Sequence, residues 1–144
     1  MKTADLYESD FAAWAETNAE LLRAGRFSEV DLENVAEEIG DLARRKRDAL
    51  ASRLARLIQH LLKWQFQREK RSTSWQRTIA QQRQAISRLL RENPSLKPAF
   101  AELAAEAYSD ATRLAAIEMR REVKTLPASS PYTMEQLMDL DYLP

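Results

Sequence analysis

The chain has 144 residues and a formal net charge of zero, with 44% hydrophobic and 31% charged side chains, two glycines and no cysteine. One domain of this size buries roughly 70% of its unfolded surface, and the missing cysteines exclude disulfides, thiolate metal sites and a cysteine nucleophile. No apolar run approaches the ~20 residues of a membrane span, and the opening MKTADLYESD lacks the basic-then-apolar order of a secretory signal, so a cytoplasmic protein with no membrane contact is expected.

Apolar residues recur at spacings of three and four, which predicts amphipathic helices throughout. The first is expected over 5–24, with Leu6, Phe11, Trp14, Leu21 and Leu22 near one face and Gly25 placed for a left-handed C-terminal cap. Ser28 or Asp31 can cap the second, whose stripe runs Leu32, Val35, Ile39, Leu42, Ala49, Leu50, Leu54, Leu57, Ile58, Leu61 and Trp64. Unbroken at Gly40, it has about 34 residues and spans ~50 Å, a length that suggests a coiled-coil-like element or a covering partner. The stripe thins at RRKRDAL, a candidate kink.

The cluster Ser72, Thr73 and Ser74 is placed to cap a third helix over 75–91, with Trp75, Ile79, Ile86, Leu89 and Leu90 inward. NPSLKP turns the chain, each proline suiting a first helical turn. A fourth helix then reaches about residue 121, burying Phe100, Leu103, Ala107, Tyr108, Ala111, Leu114 and Ala115. After Leu126 the stretch PASSPY reads as a linker, and Thr133 with Gln136 forms a capping box that starts one short helix. The closing Leu137, Leu140, Tyr142 and Leu143 dock onto the bundle or onto a second subunit. The expected fold is all-α: a bundle of four main helices with a long second helix over 1–126, and a linker with a short docking helix over 127–144.

The neutral total conceals a division of charge. Residues 1–43 carry a net −8, residues 44–91 a net +12, and residues 92–144 a net −4. Such asymmetry points to an anionic partner, or to acidic segments folding onto a basic one.

The stretches LYESDFAAW, LLRAGRFSEVDLENVAEEI, HLLKWQFQ, RSTSWQRTI and NPSLKPAF, with the ending PYTMEQLMDLDYLP, resemble a bacterial family catalogued only as domain of unknown function twenty-nine. The resemblance covers nearly the whole chain. It implies an all-helical, single-domain bacterial protein, and it brings neither an activity nor catalytic residues.

Candidate chemistry centres on HLLKWQFQREKRSTSW, residues 60–75, which holds the single histidine and two of the three tryptophans. Arg53, Arg56, His60, Lys63 and Gln67 follow spacings of 3, 4, 3 and 4, one stripe of a continuous helix. Neutral imidazole can act as general acid or base, with arginines steadying a phosphorane-like charge. The spacing Arg53-x6-His60 is similar to the arginine–histidine motif of HEPN-type ribonucleases, which are helical bundles and often dimers. The structural alternative is a histidine bonded to a backbone carbonyl or packed beside Trp64 and Trp75.

A metal site is not expected. Glu33, Glu37 and Glu38 lack the Glu-x-x-His pairs of carboxylate bundles, and in a continuous helix Glu38 and His60 stand ~33 Å apart. Nor is there a phosphate loop, a G-x-S-x-G or an H-E-x-x-H, and no cofactor is implied. Basic residues form two clusters, Arg44 to Arg47 and Arg68, Lys70, Arg71 and Arg77, a density that phosphate backbones reward through counterion release. Trp64 and Trp75 could stack on unpaired bases, although both fall on the apolar stripes.

The sequence therefore predicts a homodimeric binding module. Its central hairpin would engage nucleic acid or another anionic ligand through Lys63, Arg68, Lys70, Arg71 and Arg77, His60, Lys63, Arg68 and Arg71 lining a positive concavity. One alternative is a metal-independent ribonuclease with His60 as acid/base and Arg53 or Arg56 on the phosphate. The other is a homo-oligomeric scaffold whose opposite charges serve only its assembly.

Overall fold

The computed structural model describes residues 3–144, and among these every regular element is helical. The α-helices are α1 (Thr3–Ser9), α2 (Phe11–Arg23), α3 (Leu32–Phe66), α4 (Thr73–Glu92), α5 (Phe100–Met119) and α6 (Met134–Met138), with short 3-10 turns between them. The chain divides into two compact units, Met1–Arg45 and Lys46–Pro144, and α3 begins in one and ends in the other.

The first unit corrects the expectation of one helix over 5–24. Asp10 interrupts it: its side chain accepts a hydrogen bond from the Ala13 amide at 3.0 Å and caps α2. Tyr7, Phe11 and Trp14 gather their rings across the break, with centroids 4.9 to 5.8 Å apart. α2 ends as expected at Gly25, whose φ of +72° lies in the left-handed region. Gly25 N–H donates to Leu22 and Arg26 N–H to Leu21, the paired bonds of a Schellman cap. Asp31 stands before α3. Its carboxylate accepts from Asn34 Nδ2 at 2.7 Å and Trp14 Nε1 at 2.9 Å, and these bonds, Asn34's foremost, hold its carboxyl below the usual carboxylate range.

Helix α3 passes through Gly40 without a break. The residues expected to be buried along its first turns are open instead: Leu32, Ile39 and Leu42 stay more than half exposed.

In the second unit, α3 from Leu50 onward, α4, α5 and α6 close one apolar core around Leu54, Leu57, Ile58, Leu61, Ile79, Ile86 and Leu103. Ser72 caps α4 by accepting from the Trp75 amide, and the predicted box of Thr133 and Gln136 forms in both directions. Leu114, expected inside, is 48% exposed. The residues after Leu126 fasten to this core. Tyr108 Oη–H donates to the Pro127 carbonyl, Tyr132 Oη–H donates to Gln65 Oε1 at 2.8 Å, and Leu137 is buried. Of the alternatives left open for the tail, Leu137, Tyr142 and Leu143 take the one in which it packs on its own bundle, while Leu140 stays exposed.

Candidate functional site

The stretch from His60 to Arg77 is the corner between α3 and α4, turned by a 3-10 segment at Arg68–Lys70. Its two tryptophan rings are covered by cations of the corner itself. Arg71 lies over the Trp64 ring, 4.8 Å from its centroid, and Lys63 Nζ lies 4.7 Å from the centroid of Trp75. Contacts of this kind hold a ring by its electron-rich face. Arg71 also donates from Nε to the Trp64 carbonyl at 2.8 Å and from Nη2 to the main-chain oxygen of Pro144 at 3.2 Å. The guanidinium thus ties the end of α3 to the end of the tail.

The single stripe expected from Arg53 to Gln67 separates by burial. Arg53 and Arg56 are exposed, whereas His60 and Lys63 are 7% and 8% exposed, and α3 ends at Phe66, before Gln67. His60 Nδ1 lies 2.9 Å from the Arg56 carbonyl oxygen. A carbonyl only accepts, so the proton sits on Nδ1 and the other ring nitrogen carries the lone pair. Burial pushes the pKa of His60 below its ordinary 6.5, against the pull of that hydrogen bond and with help from the charges of Lys63 and Arg56. The ring is neutral at pH 7.

Lys63 pairs with Glu118 at 2.5 Å, and the same carboxylate accepts from Gln59 Nε2 at 2.8 Å. Lys63 and Arg71 therefore spend their charge inside the fold. Arg53 reaches across to α4, donating from Nη1 to Gln82 Oε1 at 3.3 Å. Arg56, Arg68, Lys70 and Arg77 are exposed and make no ion pair among the described residues. The hairpin thus has an inner layer of cations that pack it together and an outer layer facing solvent.

In the other basic cluster Arg44 pairs with Glu37 and Asp41, and Arg47 with Glu102 at 3.8 Å. Among the described residues no three His, Asp or Glu side chains are grouped to hold a metal ion, and no helix is long and apolar enough to cross a membrane.

The side chain that sequence reasoning passed over is Arg83. It is wholly buried and donates from Nε to the Leu137 carbonyl at 2.8 Å, from Nη1 to Tyr142 at 2.7 Å and from Nη2 to Gln136 at 2.9 Å. Its position was visible: Ile79, Arg83, Ile86 and Leu90 follow the 4, 3, 4 spacing of the inward face of α4. An arginine on that stripe signals a buried acceptor set.

The family described as "Domain of unknown function DUF29" matches residues 6–143. The chain belongs to this family. No curated protein and no solved structure matches it. In this DUF29 chain the stretches that carried the resemblance do structural work: LYESDFAAW holds the aromatic cluster, HLLKWQFQ and RSTSWQRTI form the corner and its cap, and PYTMEQLMDLDYLP is the strap that Arg83 holds.

Proposed function

We propose that this protein is a binding module whose α3–α4 hairpin engages a phosphate-bearing anion through Arg53, Arg56, Arg68, Lys70 and Arg77. The observation that carries this reading is the outer layer of cations. Between residues 49 and 91 the only acidic side chain is Glu69, and Arg56, Arg68, Lys70 and Arg77 have no acidic partner among the described residues. Unpaired surface cations at this density repel one another, and an anion that displaces their counterions relieves that repulsion. Lys63 and Arg71 support the surface from beneath and are not counted as ligands. A homodimer, the assembly expected from the long helix, would present two such surfaces and gain by avidity.

The experiment is fluorescence anisotropy of labelled single-stranded RNA, with inorganic pyrophosphate as competitor, over a salt series. Affinity should fall steeply with salt. Lys70→Ala and Arg77→Ala should each reduce the slope of log K against log salt by about 0.7. Displacement by pyrophosphate would mark a small phosphate compound as the preferred ligand. Absence of binding to either at low salt ends the proposal. RNA that shortens during the titration, and stays whole with His60→Ala, would put the imidazole to work as acid and base.

A further inference from the structure

The first unit exposes an apolar groove of about 470 Å³ between α2 and the opening turns of α3. Phe11 and Leu22 on one side are 50% and 39% exposed, and Ile39 and Leu42 on the other are 62% and 57% exposed. Scattered apolar side chains on a surface need no explanation, but four large ones converging on one groove mark a contact face. The sequence pattern had assigned all four to the interior, because their spacing is that of a buried stripe.

Two of the residues lining this groove are charged, and they carry opposite signs: Glu38 and Arg45. Both lie on α3, seven residues apart, so they share a face at a separation of roughly 10 Å. Glu38 accepts a hydrogen bond from Tyr7 Oη at 2.5 Å, whereas Arg45 is exposed and has no ion pair among the described residues. A surface with one charge of each sign, flanking Ile39 and Leu42 along α3, complements itself when turned about a two-fold axis. A two-fold axis beside Leu42, midway between them, would run two α3 helices antiparallel. Glu38 of each copy would then face Arg45 of the other, with Ile39 and Leu42 in the seam. A closed dimer requires this reciprocity. A uniformly basic or acidic ligand would leave one of the two charges opposed.

No other acid of this unit lines the groove, and Glu37 and Asp41, which flank Glu38 on α3, are paired with Arg44. We infer that this groove is the interface between two copies of the chain, joined antiparallel along the first turns of α3. The inference uses none of the cations assigned to the anion, so either reading can fail without the other.

Sedimentation velocity of the full chain over a concentration series tests it. The expected result is a monomer–dimer equilibrium in which Leu42→Lys raises the dissociation constant at least about tenfold. Leu42 is mostly exposed, so its replacement should leave the fold and the circular dichroism unchanged. The register is tested in a Tyr7→Phe background, which removes the Tyr7 bond to Glu38 from every comparison. There Arg45→Glu should weaken the dimer by setting Glu38 against glutamate twice, and Glu38→Lys added to Arg45→Glu should restore it. A chain that stays monomeric at the highest concentration overturns the inference, as does a dimer indifferent to Leu42→Lys. A charge-swapped double variant no tighter than Arg45→Glu alone overturns the antiparallel register.

Discussion

Arg83 shows what one side chain can do that a hydrophobic residue of its size could not. Gln136 and Leu137 lie in the last turn of α6, where carbonyls have no partner within the helix. Arg83 supplies three donors in a fixed fork to those two and to Tyr142. Burial lowers its pKa, with Asp139 pulling the other way, and a guanidinium stays protonated at neutral pH. Arg83→Ala would strand three carbonyls and open a cavity, so a loss of about 3–5 kcal/mol is expected from urea denaturation. Arg83→Lys, whose single ammonium cannot reach all three acceptors, should recover only part of it. A loss below about 1 kcal/mol for Arg83→Ala would show that the strap holds without it. The position of Arg83 was legible from helical spacing, but its acceptors were not: they lie more than fifty residues away, and only the folded tail brings them there. His60 was legible in the same limited way. Its place in the chain was plain, whereas the burial of its ring beside the exposed Arg53 and Arg56 is settled only when the core of the second unit closes.

At the scale of elements, long apolar periodicity and strong caps were readable, while breaks decided by about 1 kcal/mol were not. The cap at Ser72, the box at Thr133 and Gln136, and the glycine at the end of α2 are local chemistry, and each appears where the sequence places it. The interruption at Asp10 was hidden because Tyr7, Phe11 and Trp14 keep the 4, 3 spacing of a helix across it, and a single aspartate cap decides between one helix and two. The end of α5, expected at about residue 121 and found at Met119, carries no glycine to mark it. Its left-handed residue, with a φ of 54°, is Arg120 and not a glycine. Gly40 is the reverse case, a glycine that terminates nothing. A Cβ built there meets only the Arg44 guanidinium, no closer than 3.5 Å, and the backbone is helical. Gly40→Ala should therefore stabilise the protein by about 0.5–1 kcal/mol, through lower entropy of the unfolded chain and better helix propensity. Thermal unfolding of the two proteins side by side decides it, and a lower melting temperature for Gly40→Ala would mean that α3 uses the freedom of glycine.

For the whole molecule, the division of charge that stood out in the sequence follows the division into units. Residues 1–45 carry five basic and eleven acidic side chains, and residues 46–144 carry seventeen and eleven. The apolar core is divided even more unevenly. Among the described residues the buried hydrophobics of the first unit are Trp14 and Val30, against eighteen in the second. Burial of apolar surface is the main favourable term in folding, so the first unit has far less to hold it closed and should open without the second. Hydrogen–deuterium exchange read by peptide at low protein concentration should show the α2 amides exchanging through openings well short of global unfolding, while the central turns of α4 and α5 exchange only with it. Equal protection of α2 and α5 in the dilute protein would contradict this account of the fold. Raising the protein concentration then separates the two origins of stability. A unit closed by its own core keeps the same protection, whereas one that shares its groove with a second copy gains protection in α2 and the first turns of α3 as the dimer fills, by mass action, and α4 and α5 stay as they were.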